Sequence, residues 1–168
     1  MSSLHLHRLV LAAAVVAAIG VPAASHAATK STTFQVLATI VSDCSITSAP
    51  NIDFGNVGVT TANTDQTSNL VITCTPGTTY TLALDAGTGT GSTIAARKMA
   101  GPGGNTLAYS LYRDSGRTQN WGNTIGTDTV GGTGTGSGVT HTIYARLPSQ
   151  TTPPVGAYAS TVTVTVAY

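Results

Sequence analysis

The chain has 168 residues, seven Lys and Arg against six Asp and Glu, a net charge of +1 and only 8% charged residues in all. That near-neutral balance, with no basic run interleaved with aromatics, excludes a nucleic-acid-binding protein and electrostatic attachment to anionic lipid. Glu is absent and the polar filler is Thr, Ser, Gly and Asn, which suits strands and turns rather than surface helices, so composition points to an all-β protein.

The first residues read as a leader. Arg8, with His5 and His7, makes a cationic start. Residues 9–21 are apolar, Pro22 breaks the run, and Ser25-His26-Ala27 puts small residues where a signal peptidase reads. This predicts a secretory signal peptide over 1–27, with an uncleaved anchor as the other reading. The apolar run falls short of the roughly 20 residues a membrane span needs, so no membrane insertion is expected. Removing 27 of 168 residues leaves 141, enough for one domain.

Residues 34–44 read as the first strand. Phe34, Val36, Ala38 and Ile40 would share one face, and Gln35, Leu37, Thr39 and Val41 the other. A slip of one residue exchanges the two sets. Cys44 and Cys74 are the only cysteines. In an exported chain such a pair is expected to form a disulfide. A metal site is the alternative, weakened by the lack of a neighbouring His or second Cys pair.

Ile52-Asp53-Phe54-Gly55 reads as a short strand anchored by Phe54, residues 55–69 as a polar connection, and residues 70–74 as the next strand, ended by the Pro76-Gly77 turn. Residues 79–85 alternate, with Tyr80, Leu82 and Leu84 on one face. Residues 87–91 form a Gly/Thr loop, followed by the basic pair Arg97-Lys98. Leu107, Tyr109 and Leu111 mark another alternating strand. Trp121-Gly122 sits in a polar loop, and residues 131–138 form a Gly/Thr/Ser run. Ile143, Ala145 and Leu147 mark a further strand. Residues 158–168 give the cleanest alternation, with Val162, Val164, Val166 and Tyr168 on one face. About seven short strands with turns between them predict an antiparallel β-sandwich. Fourteen of the nineteen Gly lie between 87 and 138, so apolar strands are few. A sandwich short of a strand exposes a groove and an open edge, which invites pairing with another chain.

No catalytic or metal site is expected, and no cofactor. His141 is the one His after residue 27, with no Gly-x-Ser-x-Gly elbow beside it. The six Asp are scattered and suit turns. The 87–91 loop lacks the Lys-Ser/Thr ending of a phosphate cradle. Trp121, with Tyr112 and Tyr109, is a candidate for stacking on a sugar, although such residues also fill cores.

One set of residues carries a resemblance over nearly the whole exported chain. It comprises Cys44, Ile52-Asp53-Phe54-Gly55, Cys74-Thr75 before Gly77-Thr78, Tyr80, Arg97-Lys98-Met99 and residues 107–114 (LAYSLYRD). It continues through Trp121-Gly122, residues 143–148 (IYARLP) and Gly156-Ala157-Tyr158 leading into residues 161–166. In this order the chain resembles the spore coat protein U domain family, the domain of Csu-type pilins of the archaic chaperone–usher pathway.

The resemblance implies an incomplete immunoglobulin-like sandwich that lacks its last strand and is completed by a donated one. It implies a non-enzymatic pilus or fibre subunit that supports adhesion and biofilm formation. The implied partners are a periplasmic chaperone, an outer-membrane usher and neighbouring copies or related pilins. The implied route is export through the periplasm to the cell surface. The donor would be 28–40, ahead of a sandwich domain over 41–168, with Phe34, Val36, Ala38 and Ile40 as its face. The strand 158–168, with Val162, Val164, Val166 and Tyr168, would line the acceptor groove and meet the chaperone. A self-complete carbohydrate-binding sandwich and a spore or cell coat protein are the competing readings.

Overall fold

The computed structural model describes residues 26–168. The leader expected over 1–27 lies outside them except for its last two residues. The described chain falls into two units, one up to Ala38 and one spanning Thr39–Tyr168. Residues 26–38 carry no strand and are exposed.

The second unit holds eight strands: β1 (Cys44–Ser48), β2 (Thr64–Cys74), β3 (Thr79–Leu84), β4 (Arg97–Ala100), β5 (Thr106–Tyr112), β6 (Val130–Thr133), β7 (Gly138–Leu147) and β8 (Val164–Ala167). They form a five-stranded sheet, ordered β1-β2-β7-β5-β4, and a three-stranded sheet, ordered β6-β3-β8, with every pair antiparallel. The two sheets bury a common core in an immunoglobulin-like arrangement. Leu70 and Ile72 of β2, Tyr109 and Leu111 of β5, and Ile143 and Ala145 of β7 meet Tyr80, Leu82 and Leu84 of β3. These are the alternate residues that period-2 patterning assigns to an inner face. Each large apolar side chain so buried contributes about 1.5–3 kcal/mol.

Several elements differ from the sequence reading. The strand expected over 34–44 begins only at Cys44, and residues 26–43 lie in no strand. Alternation shows that a face could be buried, but a strand needs a ladder partner. Phe34 is 87% exposed, Val36 85% and Ile40 81%. The strand expected at 52–55 is also absent. Asp53 Oδ1 accepts the Gly55 amide at 2.7 Å, and Gly55 takes φ +70°, so the backbone turns there while Ile52 and Phe54 still pack on the core.

Part of the polar stretch expected as a connection is strand. Thr64 to Asn69 pairs residue for residue with β7, and Thr142 Oγ1 donates to Asn69 Oδ1 at 3.0 Å. Cross-strand partners thus decide a segment whose own residues are indifferent. Arg97-Lys98 opens a strand, and the Gly run supplies β6. Gly132 is needed there because a Cβ would strike the Tyr80 ring.

The segment 158–168 is shorter as a strand than expected and changes sheet on the way. Ala159 bridges to Ala100 at the edge of the five-stranded sheet, and Val164–Ala167 then pairs with β3 in the other.

Candidate functional site

The seam between the sheets is open along β8. Among the described residues β8 pairs with β3 and with nothing on its far side. Its bonded edge is well stitched. Asp85 N–H donates to Thr163 O at 3.1 Å and Thr163 N–H to Asp85 Oδ1 at 2.9 Å. Thr161 N–H donates to Thr88 Oγ1, and the Tyr109 hydroxyl to Ser160 Oγ, both at 3.0 Å. Burial pushes the Asp85 carboxyl up, but hydrogen bonds from Thr163 and Gly87 outweigh it and hold the group below the usual carboxylate value.

Thr163 faces β3 with its backbone, so Thr165 and Ala167 do too, by the alternation of an antiparallel ladder. The N–H and C=O of Val162, Val164 and Val166 therefore face the open edge, while their side chains turn in against the core. A row of unpaired backbone groups beside apolar side chains is a template for another strand.

A cavity of about 510 Å³ runs along this edge, between Val162 and Val164 on one side and Ile52 and Phe54 on the other, with Tyr109, Leu111 and Ile143 as floor. A second, of about 640 Å³, shares Ile52, Phe54, Met99 and Tyr158 and continues past Val57, Leu147, Pro154 and Val155. Together they make one long apolar groove. Beyond Val164, where the lining of the groove stops, the chain runs on to Tyr168, whose Oη donates to Asp43 Oδ1 at 3.0 Å. Tyr168, expected inside the groove with the three valines, is instead 59% exposed beyond the end of β8, because the Asp43 bond draws its hydroxyl outward.

Cys44 and Cys74 are joined by a disulfide at the first position of the β1–β2 register, and this closes the metal alternative for the two thiols. It fastens the strand start directly after residues 34–43. Thr75 continues the tie, its amide and hydroxyl both reaching Asp43 O.

Arg97 is a residue that sequence reasoning missed. Its side chain is completely buried. Nε donates to Asp85 O at 2.9 Å, and Nη2 to Leu84 O at 3.2 Å and Trp121 O at 2.7 Å. Burial lowers its pKa below the ordinary arginine value, and Tyr109, Asp85 and Asp128 oppose that shift. The guanidinium thus braces the end of β3 to which β8 is bonded. The available signal was parity, since Arg97 and Met99 share a face in a four-residue strand.

Trp121 is not a stacking platform. It is 1% exposed, and its indole N–H donates to Leu82 O at 3.0 Å. Tyr109 is 4% exposed. His141 touches no acid–nucleophile pair. Its Nε2 lies 2.8 Å from Tyr80 Oη, with the rings edge to face, so the contact ties one sheet to the other. Among the described residues no three His, Cys or Asp side chains gather as metal ligands, and no helix is long and apolar enough to cross a membrane.

Comparison with known proteins agrees with this geometry. The family model described as Spore Coat Protein U domain matches residues 30–165. No curated protein matches the chain in sequence. Among solved structures, the fold is similar to a chain of the CsuC–CsuE chaperone–tip adhesion subunit pre-assembly complex from archaic chaperone–usher Csu pili of Acinetobacter baumannii. The match has 24% identity and a TM-score of 0.53, and covers 77% of this chain and 40% of that one. This chain thus spans two-fifths of the length of its structural relative, and the likeness is one of fold.

Proposed function

The chain belongs to the Spore Coat Protein U domain family, and from that premise we propose that it is a structural subunit of a surface fibre assembled by strand donation. The observation that carries this reading is the open edge of β8. The backbone groups of Val162, Val164 and Val166 lie unpaired beside an apolar groove, and the chain also carries an exposed, alternating apolar segment, 28–40, that is in no strand. The two are complementary in chemistry, and a contact from one copy's segment to the next copy's groove is heterologous, so it grows into a filament.

In this reading a periplasmic chaperone first covers the edge. An outer-membrane usher then exchanges it for residues 28–40 of the next copy or of a related pilin. The chain passes through the periplasm to the cell surface, where the fibre supports adhesion and biofilm formation. No catalytic chemistry is involved. The glycan-binding alternative loses its leading residue, since Trp121 is core.

The test is a pair of variants in cells that export the chain. Deleting 28–40, behind an intact leader, spares capture by the chaperone and stops fibre growth. Val164→Asp abolishes capture itself, because it places an unpaired charge in the covered groove. Normal fibres from the deletion variant would sink the proposal.

A further inference from the structure

We infer that Lys30 of one copy is read by Asp43 of another, and that this pair sets the direction and register in which residues 28–40 enter the groove. The inference rests on the fibre reading above and adds to it.

Residues 28–40 hold a single charged residue, Lys30, near their start. Lys30 has the parity of Phe34, Val36, Ala38 and Ile40, so in a strand it points to the same side as they do. Two carboxylates lie within reach of a strand laid along the open edge of β8. Asp53 lines the shared stretch near Tyr158, and its Oδ1 accepts the Gly55 amide. Asp43 lies past the groove lining, beside Tyr168 at the end of β8. Tyr168 Oη takes Asp43 Oδ1, which leaves Oδ2 without a bond among the described residues. Asp85, the third carboxylate near β8, is on the β3 side and accepts the Thr163 and Gly87 amides.

The direction of entry decides which of the two carboxylates Lys30 meets. Residues 30–40 and 158–168 each cover ten steps, about 33 Å when extended. Laid antiparallel with Ile40 opposite Tyr158, the segment puts Val36 opposite Val162, Phe34 opposite Val164 and Lys30 opposite Tyr168. Ala38 falls opposite Ser160, whose Oγ accepts from the Tyr109 hydroxyl. Directly opposed residues of an antiparallel pair share a face, so the apolar set turns in with the valines and the ammonium arrives beside Asp43.

Laid parallel, Lys30 would enter the stretch around Ile52, Met99 and Pro154, where the carboxylate is Asp53, which already accepts the Gly55 amide. A slip of two residues preserves the apolar face but carries Lys30 away from Asp43, so the charge pair discriminates where hydrophobic pattern cannot. The antiparallel strand also leaves the groove near Tyr158, opposite the end at which each copy's own β1 begins, and this gives a head-to-tail chain that does not close.

The experiment uses fibres assembled by cells that export the full chain. Lys30→Glu alone and Asp43→Lys alone each slow assembly about threefold, as a partly exposed pair does when turned repulsive. The double variant Lys30→Glu/Asp43→Lys recovers the original rate. All these differences shrink in high salt. Asp43 gives Thr75 only its backbone carbonyl, so exchanging its side chain spares that tie and breaks the bond from Tyr168, for which Tyr168→Phe is the control. A zero-length carbodiimide cross-link on unaltered fibres joins Lys30 to Asp43 of the next copy, identified by mass spectrometry. Rescue of Lys30→Glu by Asp53→Lys, a cross-link to Asp53, or no rescue by either would overturn the inference and leave the fibre reading standing. Absence of fibres from the unaltered chain would overturn both.

Discussion

The Arg97 guanidinium donates to the carbonyl of Trp121 at 2.7 Å, and each of these two large side chains is buried to within 1%. Trp121 in turn donates its indole N–H to Leu82 O, while Arg97 reaches Leu84 O two residues further along β3. The pair therefore holds the inner strand of the three-stranded sheet from two points, directly beneath the residues that pair with β8.

Replacing Arg97 leaves the Leu84, Asp85 and Trp121 carbonyls short of a donor in a water-poor site. Arg97→Met costs about 3–5 kcal/mol, the range for breaking a buried charged network. Arg97→Lys also costs, because one ammonium cannot serve carbonyls spread over a planar fork. Thermal unfolding of the purified protein measures both; an Arg97→Lys variant that melts with the original would overturn the bracing role.

Gly132→Ala tests the packing of the small sheet. The added Cβ meets the Tyr80 ring, and Tyr80 cannot swing away without losing His141. The expected loss is about 1–3 kcal/mol, as for overpacking. Tyr80→Leu in the same background should recover much of it, read as a restored midpoint in denaturant.

Stability depends on pH through His141. Burial lowers its pKa below the ordinary 6.5. The unfolded chain therefore takes up this proton first, so the contribution is full above about pH 6.5 and is lost as pH falls toward the folded value. Unfolding midpoints should drop between pH 7 and pH 5.5, and His141→Gln should flatten that slope. Asp65 and Asp85 act at more acid pH in the same sense. For Asp65, hydrogen bonding from Arg146 leads among the causes, and for Asp85 the bonds from Thr163 and Gly87 prevail over burial. A midpoint that rises toward pH 5.5 would contradict the assignment.

In the proposed strand donation, two single changes decide which face of residues 28–40 enters the groove. Val36→Asp places a charge against Val162 and lowers fibre yield at least about a hundredfold, given the cost of burying an unpaired carboxylate. Leu37→Asp, on the opposite face, leaves most of the yield. The reverse ranking, by quantitative blotting of surface fibre, would assign the groove to the other register.

Much of this molecule is legible in its residue pattern. The inner faces Tyr80-Leu82-Leu84, Leu107-Tyr109-Leu111 and Ile143-Ala145-Leu147 lie where alternation puts them. The disulfide joins the two cysteines that the sequence holds. These features are local, since one strand's own period or one residue type's chemistry determines them.

What only the tertiary structure decided depends on a partner elsewhere in the chain. Thr64 to Asn69 is strand because β7 lies opposite, and residues 34–43 are not strand because no ladder partner holds them. Arg97 is core because the Leu84, Asp85 and Trp121 carbonyls converge on one point, where a sequence shows only a basic pair. Trp121 is core for the same reason. The change of sheet between Ala159 and Val164, and with it the open edge of β8, depends on strand order in space. Side-chain period is a property of the backbone and can be read along the chain; pairing and burial are properties of neighbours, and neighbours are assigned only when the chain folds.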